Sequence, residues 1–111
     1  MTDFKTLFAD IQDQVQTMAT QATGKYKDDA ISEGKRLLKE IKEDLERWVL
    51  LLAEGHLKPE EFTWLVNSNK SLVKMTALKK AGMAVVEVKK FSVNLLNIIV
   101  EESLKAITAK K

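Results

Sequence analysis

Residues 31–61, ISEGKRLLKEIKEDLERWVLLLAEGHLKPEE, carry the reading on which the fold depends. Ile31, Gly34, Leu38, Ile41, Leu45, Trp48 and Leu52 recur at alternating steps of three and four, which lays them along one side of an α-helix. Leu37, Val49 and Leu51 widen that face. A strand would alternate with a period of two, so the spacing predicts a helix over about 26–54. Gly34 on the apolar seam costs about 1 kcal/mol against Ala in a helix interior. A bulky side chain or a backbone approaching closely at that point is the expected reason. Gly55-His56-Leu57-Lys58-Pro59-Glu60-Glu61 then ends the helix and starts the next. Glycine suits the left-handed position after a helix, and proline suits the first turn of another. Glu60 and Glu61 complement the positive end of the new helix, with Leu57 set to pack on Phe62 or Leu65. The stretch reads as an antiparallel helical hairpin.

Toward the N-terminus, Phe4, Phe8, Ile11, Val15, Met18 and Ala22 form a second stripe at the same spacing, predicting a helix over about 3–22 capped by Thr2 or Asp3. Continuing the stripe lands on Lys25 and Asp29, and Gly24 marks the break. Beyond the hairpin turn, Phe62, Leu65, Val66, Leu72, Val73 and Met75 lead into Leu78, Ala81, Val85, Val88, Ser92, Leu95, Ile99 and Glu102. Because the phase of this stripe survives Gly82, one long helix over about 59–107 is expected, with kinks allowed near 68–71 or 82 and a frayed tail at 108–111.

Such a third helix would be roughly 70 Å long at 1.5 Å per residue, against roughly 30 and 40 Å for the first two. A hairpin two helices thick cannot cover faces this broad. The expected architecture is therefore all-α, a helical hairpin completing a four-helix-type bundle by dimerisation. Chain reversal at both Gly24 and Gly82 would instead give a monomeric up-down bundle. In either arrangement the seam is Phe8, Ile11, Val15, Leu38, Ile41, Leu45, Trp48, Leu52, Leu65, Leu78, Val85, Val88, Leu95 and Ile99.

Composition narrows the chemistry. With 111 residues, 45% hydrophobic and 31% charged, the chain suits a single folded domain, 1–111. It has no Cys, one His and one Pro, which removes disulfides, thiol nucleophiles, zinc fingers and histidine-rich metal sites. Metal and cofactor sites are expected to be absent. His56 sits in the turn beside Glu54, Glu60 and Glu61 and reads as solvated. The pairs Glu101-Glu102 and Asp28-Asp29 point about 100° apart on a helix and cannot share one catalytic site. No phosphate-binding glycine loop, nucleophile elbow or metalloprotease helix occurs, so an enzyme is not expected. No secretory signal is visible at Met1-Thr2-Asp3-Phe4-Lys5, and no apolar run approaches the roughly 20 residues of a spanning helix. A Cys-free chain of this kind fits the cytoplasm.

Charge is distributed unevenly around a net of +2. Residues 1–24 carry −2, residues 25–58 balance, and residues 59–111 carry +4. Segments of opposite sign can attract within a chain or between subunits. Lys70, Lys74, Lys79, Lys80, Lys89 and Lys90, opposed by Glu87, form a candidate face for an anionic partner. All are Lys and no aromatic platform is interleaved, which argues against nucleic acid. A membrane surface fits better, since 85–107 is amphipathic with lysines near its start. Trp48 and Trp64 stand symmetrically about the turn and are expected to pack at the closed end of the hairpin. These features together predict a non-enzymatic interaction or scaffold protein, a homodimer or higher homo-oligomer. The alternative is a peripheral binder of membranes or hydrophobic surfaces acting through the basic C-terminal helix.

Overall fold

The computed structural model describes residues 3–68 and 75–108. Helix α1 spans Phe4–Ala22, and Asp3 caps it by accepting a hydrogen bond from the Lys5 amide at 3.4 Å. Thr2, the other expected cap, lies outside the described residues. A single 3-10 turn at Gly24–Tyr26 reverses the chain into α2, Lys27–Ala53. Helix α3 is Pro59–Ser68, α4 is Thr76–Lys80 and α5 is Val85–Thr108. No strand occurs among the described residues.

The turn between α2 and α3 is built as the glycine predicts. Gly55 takes φ +79°, the His56 amide donates to the Leu51 carbonyl at 2.9 Å and the Gly55 amide to the Leu52 carbonyl at 3.2 Å. This is the Schellman arrangement that satisfies the last carbonyls of a helix. Glu61 Oε1 then accepts from the Lys58 amide at 2.9 Å, the backward half of a capping box opening α3.

A continuous helix over 59–107 is not what forms. Gly82 adopts φ +100°, the Met83 amide donates to the Leu78 carbonyl at 3.1 Å and the Gly82 amide to the Lys79 carbonyl at 3.1 Å, a second Schellman ending. Its apolar partners Leu78 and Met83 are both buried, which fixes the turn from inside. The preserved three-and-four phase across Gly82 was a coincidence of spacing: Ala81 and Val85, two of its members, are exposed. The 43 Å longest dimension of the molecule could not contain the roughly 70 Å rod. The kink allowed near 68–71 falls mainly outside the described residues. Thr108, expected in a frayed tail, still belongs to α5, and 109–111 lie outside the described residues.

The chain therefore supplies all four layers itself. Helix α1 runs antiparallel to α2, with Lys42 over the Phe8 ring at 5.4 Å. Helices α3 and α4 together make the descending arm against α2. Helix α5 starts beside the first turn of α2, where Gly82 lies near the Tyr26 hydroxyl, and then runs parallel to α2, bringing Leu95 to the level of Gly34. The result is an up-down bundle with its third arm divided. It corresponds to chain reversal at both Gly24 and Gly82, and the four layers are complete without a second copy.

Most of the predicted seam lies in this core. Ile11, Val15, Leu38, Ile41, Leu45, Leu78, Val88, Leu95 and Ile99 are buried, with Phe8 and Leu52 just inside its edge. Trp48 and Leu65 are half-buried. Val85 departs from the expectation and faces solvent at 69% exposure, because α5 begins only there and its inner face is Val88, Phe91, Leu95 and Ile99. Phe62, Val66, Met75, Phe91 and Leu96 join the core as members that the seam did not include.

Candidate functional surfaces

Among the described residues, reactive side chains do not converge on one site, and no group of three His, Cys, Asp or Glu is placed to hold a metal ion. His56, Glu54, Glu60 and Glu61 are all exposed around the turn. Asp28 and Asp29 stand exposed in the first turn of α2, where their charge complements the helix dipole.

Among the described residues one carboxylate is buried. Glu33 on α2 is 6% exposed; its Oε1 accepts from Arg36 Nε at 3.0 Å while Oε2 has no hydrogen-bond partner among the described residues. Arg36 also donates to Glu40 Oε1 at 2.7 Å. The hydrogen bond that Arg36 donates to Glu33 is the main reason the guanidinium is held above its ordinary pKa, with partial desolvation acting in the opposite sense. All three residues sit one helical turn apart on α2, so this is a local clamp and not a cleft.

Depressions along α1 are more polar, one lined by Asp13, Gln16 and Thr20 and another by Lys5, Lys42 and Glu46 around Phe8. Two other surface depressions are mainly apolar, and they carry opposite charges at their rims. The first lies at the closed end of the α2–α3 hairpin, where Leu57, Glu60, Glu61, Trp64 and Leu65 line a shallow depression of about 430 Å³. Trp64 is 68% exposed, and Leu50 near the end of α2 is also exposed. The expected packing of Trp48 with Trp64 thus divides: Trp48 packs against the core and Trp64 is left in solvent. Helical spacing accounts for this. Phe62 and Val66 define the inner face of α3, and Trp64, two residues from each, falls about 200° away.

The second lies on the outer side of α5, where Val86, Lys89, Lys90, Val93 and Asn94 line a depression of about 440 Å³. Val86 and Val93 are exposed, each two positions from an inner residue, Val88 and Phe91. Lys90 reaches Glu87 Oε1 at 3.7 Å, a solvent-exposed pair worth little to stability. Of the six lysines of the predicted anionic-partner face, Lys89 and Lys90 belong to this patch. Lys79 and Lys80 are exposed in the last turn of α4, where they complement the negative helix end. Lys70 and Lys74 lie outside the described residues. Sequence reasoning finds the lysines but not the valines on either side of them: the stripe assigns Val85 to the seam, and Val86 and Val93 to no face.

No helix among the described residues is long and apolar enough to cross a membrane. Comparison with protein families, with curated proteins and with solved structures finds no match to this chain.

Proposed function

We propose that this chain is a non-enzymatic helical interaction protein that self-associates. The observation that carries the reading is the apolar surface remaining once the core stripe has been used within the chain: Trp64, Leu50, Val86 and Val93, each exposed and each on a helix whose opposite side is already packed. A large aromatic held in solvent on a rigid helix is the kind of anchor that protein interfaces use. The absence of Cys and the single solvated His56 support a role without chemistry. The same Cys-free composition accords with a cytoplasmic setting.

Association on this reading differs in kind from the hairpin dimer expected from periodicity. The seam residues hold the monomer together, and the contact between copies uses the outer faces of α3 and α5. Light scattering after size exclusion, across a wide range of concentration, tests it. A mass rising toward twice the 12.6 kDa chain supports self-association; a mass of 12.6 kDa at every concentration removes it.

A second reading is favoured by one specific arrangement, the exposed Val85, Val86 and Val93 beside Lys89 and Lys90 on α5. Valines that enter a headgroup layer while lysines meet anionic lipid would make the chain a peripheral membrane binder. Sedimentation with anionic vesicles, weakening as salt is raised, is its signature.

A further inference from the structure

We infer that the Trp64 patch and the Val86–Val93 patch are the two halves of one contact, the first on one copy of this chain receiving the second from another. The inference rests on the self-association proposed above and names the surfaces that perform it. Both patches are shallow and apolar at the centre, with Trp64 standing out of the first at 68% exposure. Their rims are opposite in sign: Glu60 and Glu61 beside Trp64, Lys89 and Lys90 between the valines. An apolar anchor within a charged rim meeting an apolar floor within the opposite rim gains burial and a steering field together.

The two patches cannot meet within one molecule. Val86 and Val93 are in the first three turns of α5, which begins beside the start of α2 at Tyr26. Trp64 is on α3, which begins just past the end of α2 at Ala53. Helix α3 packs against the later part of α5, and with Trp64 about two turns in from one end of α2 and Val93 about two turns in from the other, roughly 20 Å still separates them along the bundle. A pairing of the two patches therefore joins two copies.

Charge reversal in pairs tests this directly. The first variant is Glu60→Lys with Glu61→Gln; glutamine at 61 retains the acceptor for the Lys58 amide, so the start of α3 is preserved. The second is Lys89→Glu with Lys90→Glu. Each alone places like charges across the contact, and its dissociation constant is expected to rise about tenfold or more. An equimolar mixture restores opposite signs at both patches and is expected to associate within about threefold of the parent. Trp64→Ala is expected to weaken association at least about tenfold while leaving the thermal unfolding midpoint within about 2 °C, because the side chain is mostly in solvent.

Association of either reversed variant at the parent's affinity, or of Trp64→Ala at the parent's affinity, overturns the pairing and leaves self-association standing on other surfaces. A parent that stays monomeric at all concentrations removes both. Binding of that monomer to vesicles of phosphatidylserine, abolished by Lys89→Glu with Lys90→Glu, assigns the α5 patch to lipid and likewise overturns the pairing.

Discussion

Val15 on α1 and Gly34 on α2 approach so closely that a Cβ added at Gly34 would stand 2.8 Å from Val15 Cγ1. Leu95 of α5 closes the same point from the other side, at 3.8 Å. The absent side chain thus sets the spacing at which three of the four arms meet. Gly34→Ala trades a helix-propensity gain of about 1 kcal/mol against overpacking of about 1–3 kcal/mol. Val15 is buried and β-branched, so it has little freedom to turn aside. We expect Gly34→Ala to lower stability by about 1 kcal/mol in urea unfolding, and Val15→Ala on that background to recover part of the loss.

Gly82 makes a different use of glycine. Its φ of +100° is the constraint, since a Cβ would meet the Tyr26 hydroxyl only at an ordinary 3.8 Å. Gly82→Ala should therefore cost about 1–2 kcal/mol through the backbone alone. The urea midpoint falls while the slope of the unfolding curve is unchanged. An increase in stability would mean that α4 and α5 prefer to fuse.

The Glu33–Arg36 clamp predicts a sign as well as a size. Arg36→Ala leaves the 6% exposed Glu33 carboxylate without its 3.0 Å partner, for a loss of about 1–3 kcal/mol. Glu33→Met on that background removes the stranded charge and the unpartnered Oε2 together, and stability should return close to the parent's. With the folded-state pKa of Arg36 raised, the guanidinium's share of the clamp is present in full at every pH below its unfolded value. It is lost only in strong alkali, so thermal scans between about pH 6 and 9 should show no titration of Arg36.

Leu45 separates a core role from an assembly role. The side chain is fully buried within one chain, and Leu45→Ala should cost about 2–5 kcal/mol. Leu45→Asp is expected to lose the helical circular dichroism altogether at 25 °C. A folded, monomeric Leu45→Asp protein would instead place this residue at a subunit boundary.

The helices over 3–22 and 26–54 and the glycine-proline turn could be read from the chain alone, because each follows from local chemistry. The 3,4 spacing records which side of a helix is apolar, and capping by Asp3, Gly55 and Glu61 is a contact of neighbours in sequence. Gly34 announced a close approach, although only the fold names Val15 and Leu95 as the side chains that make it. Periodicity is silent about what lies opposite a stripe. An apolar face is satisfied equally by a second chain or by the same chain folded back, and the choice depends on long-range closure at 23–26 and at Gly82. The turn at Gly82 was disguised because its stripe keeps phase across the break, and buried Leu78 and Met83 decide it. Trp64 illustrates the same limit from outside: the sequence predicts that it packs beside Trp48, and the inward packing of Phe62 and Val66 turns it into solvent, as that of Val88 and Phe91 does Val86 and Val93. Local sequence determined which segments are helical and where two of them end, since those energies are paid between neighbours. The tertiary structure alone decided that one chain completes its own bundle, and so which apolar residues are left in solvent, because that depends on contacts between residues far apart in sequence.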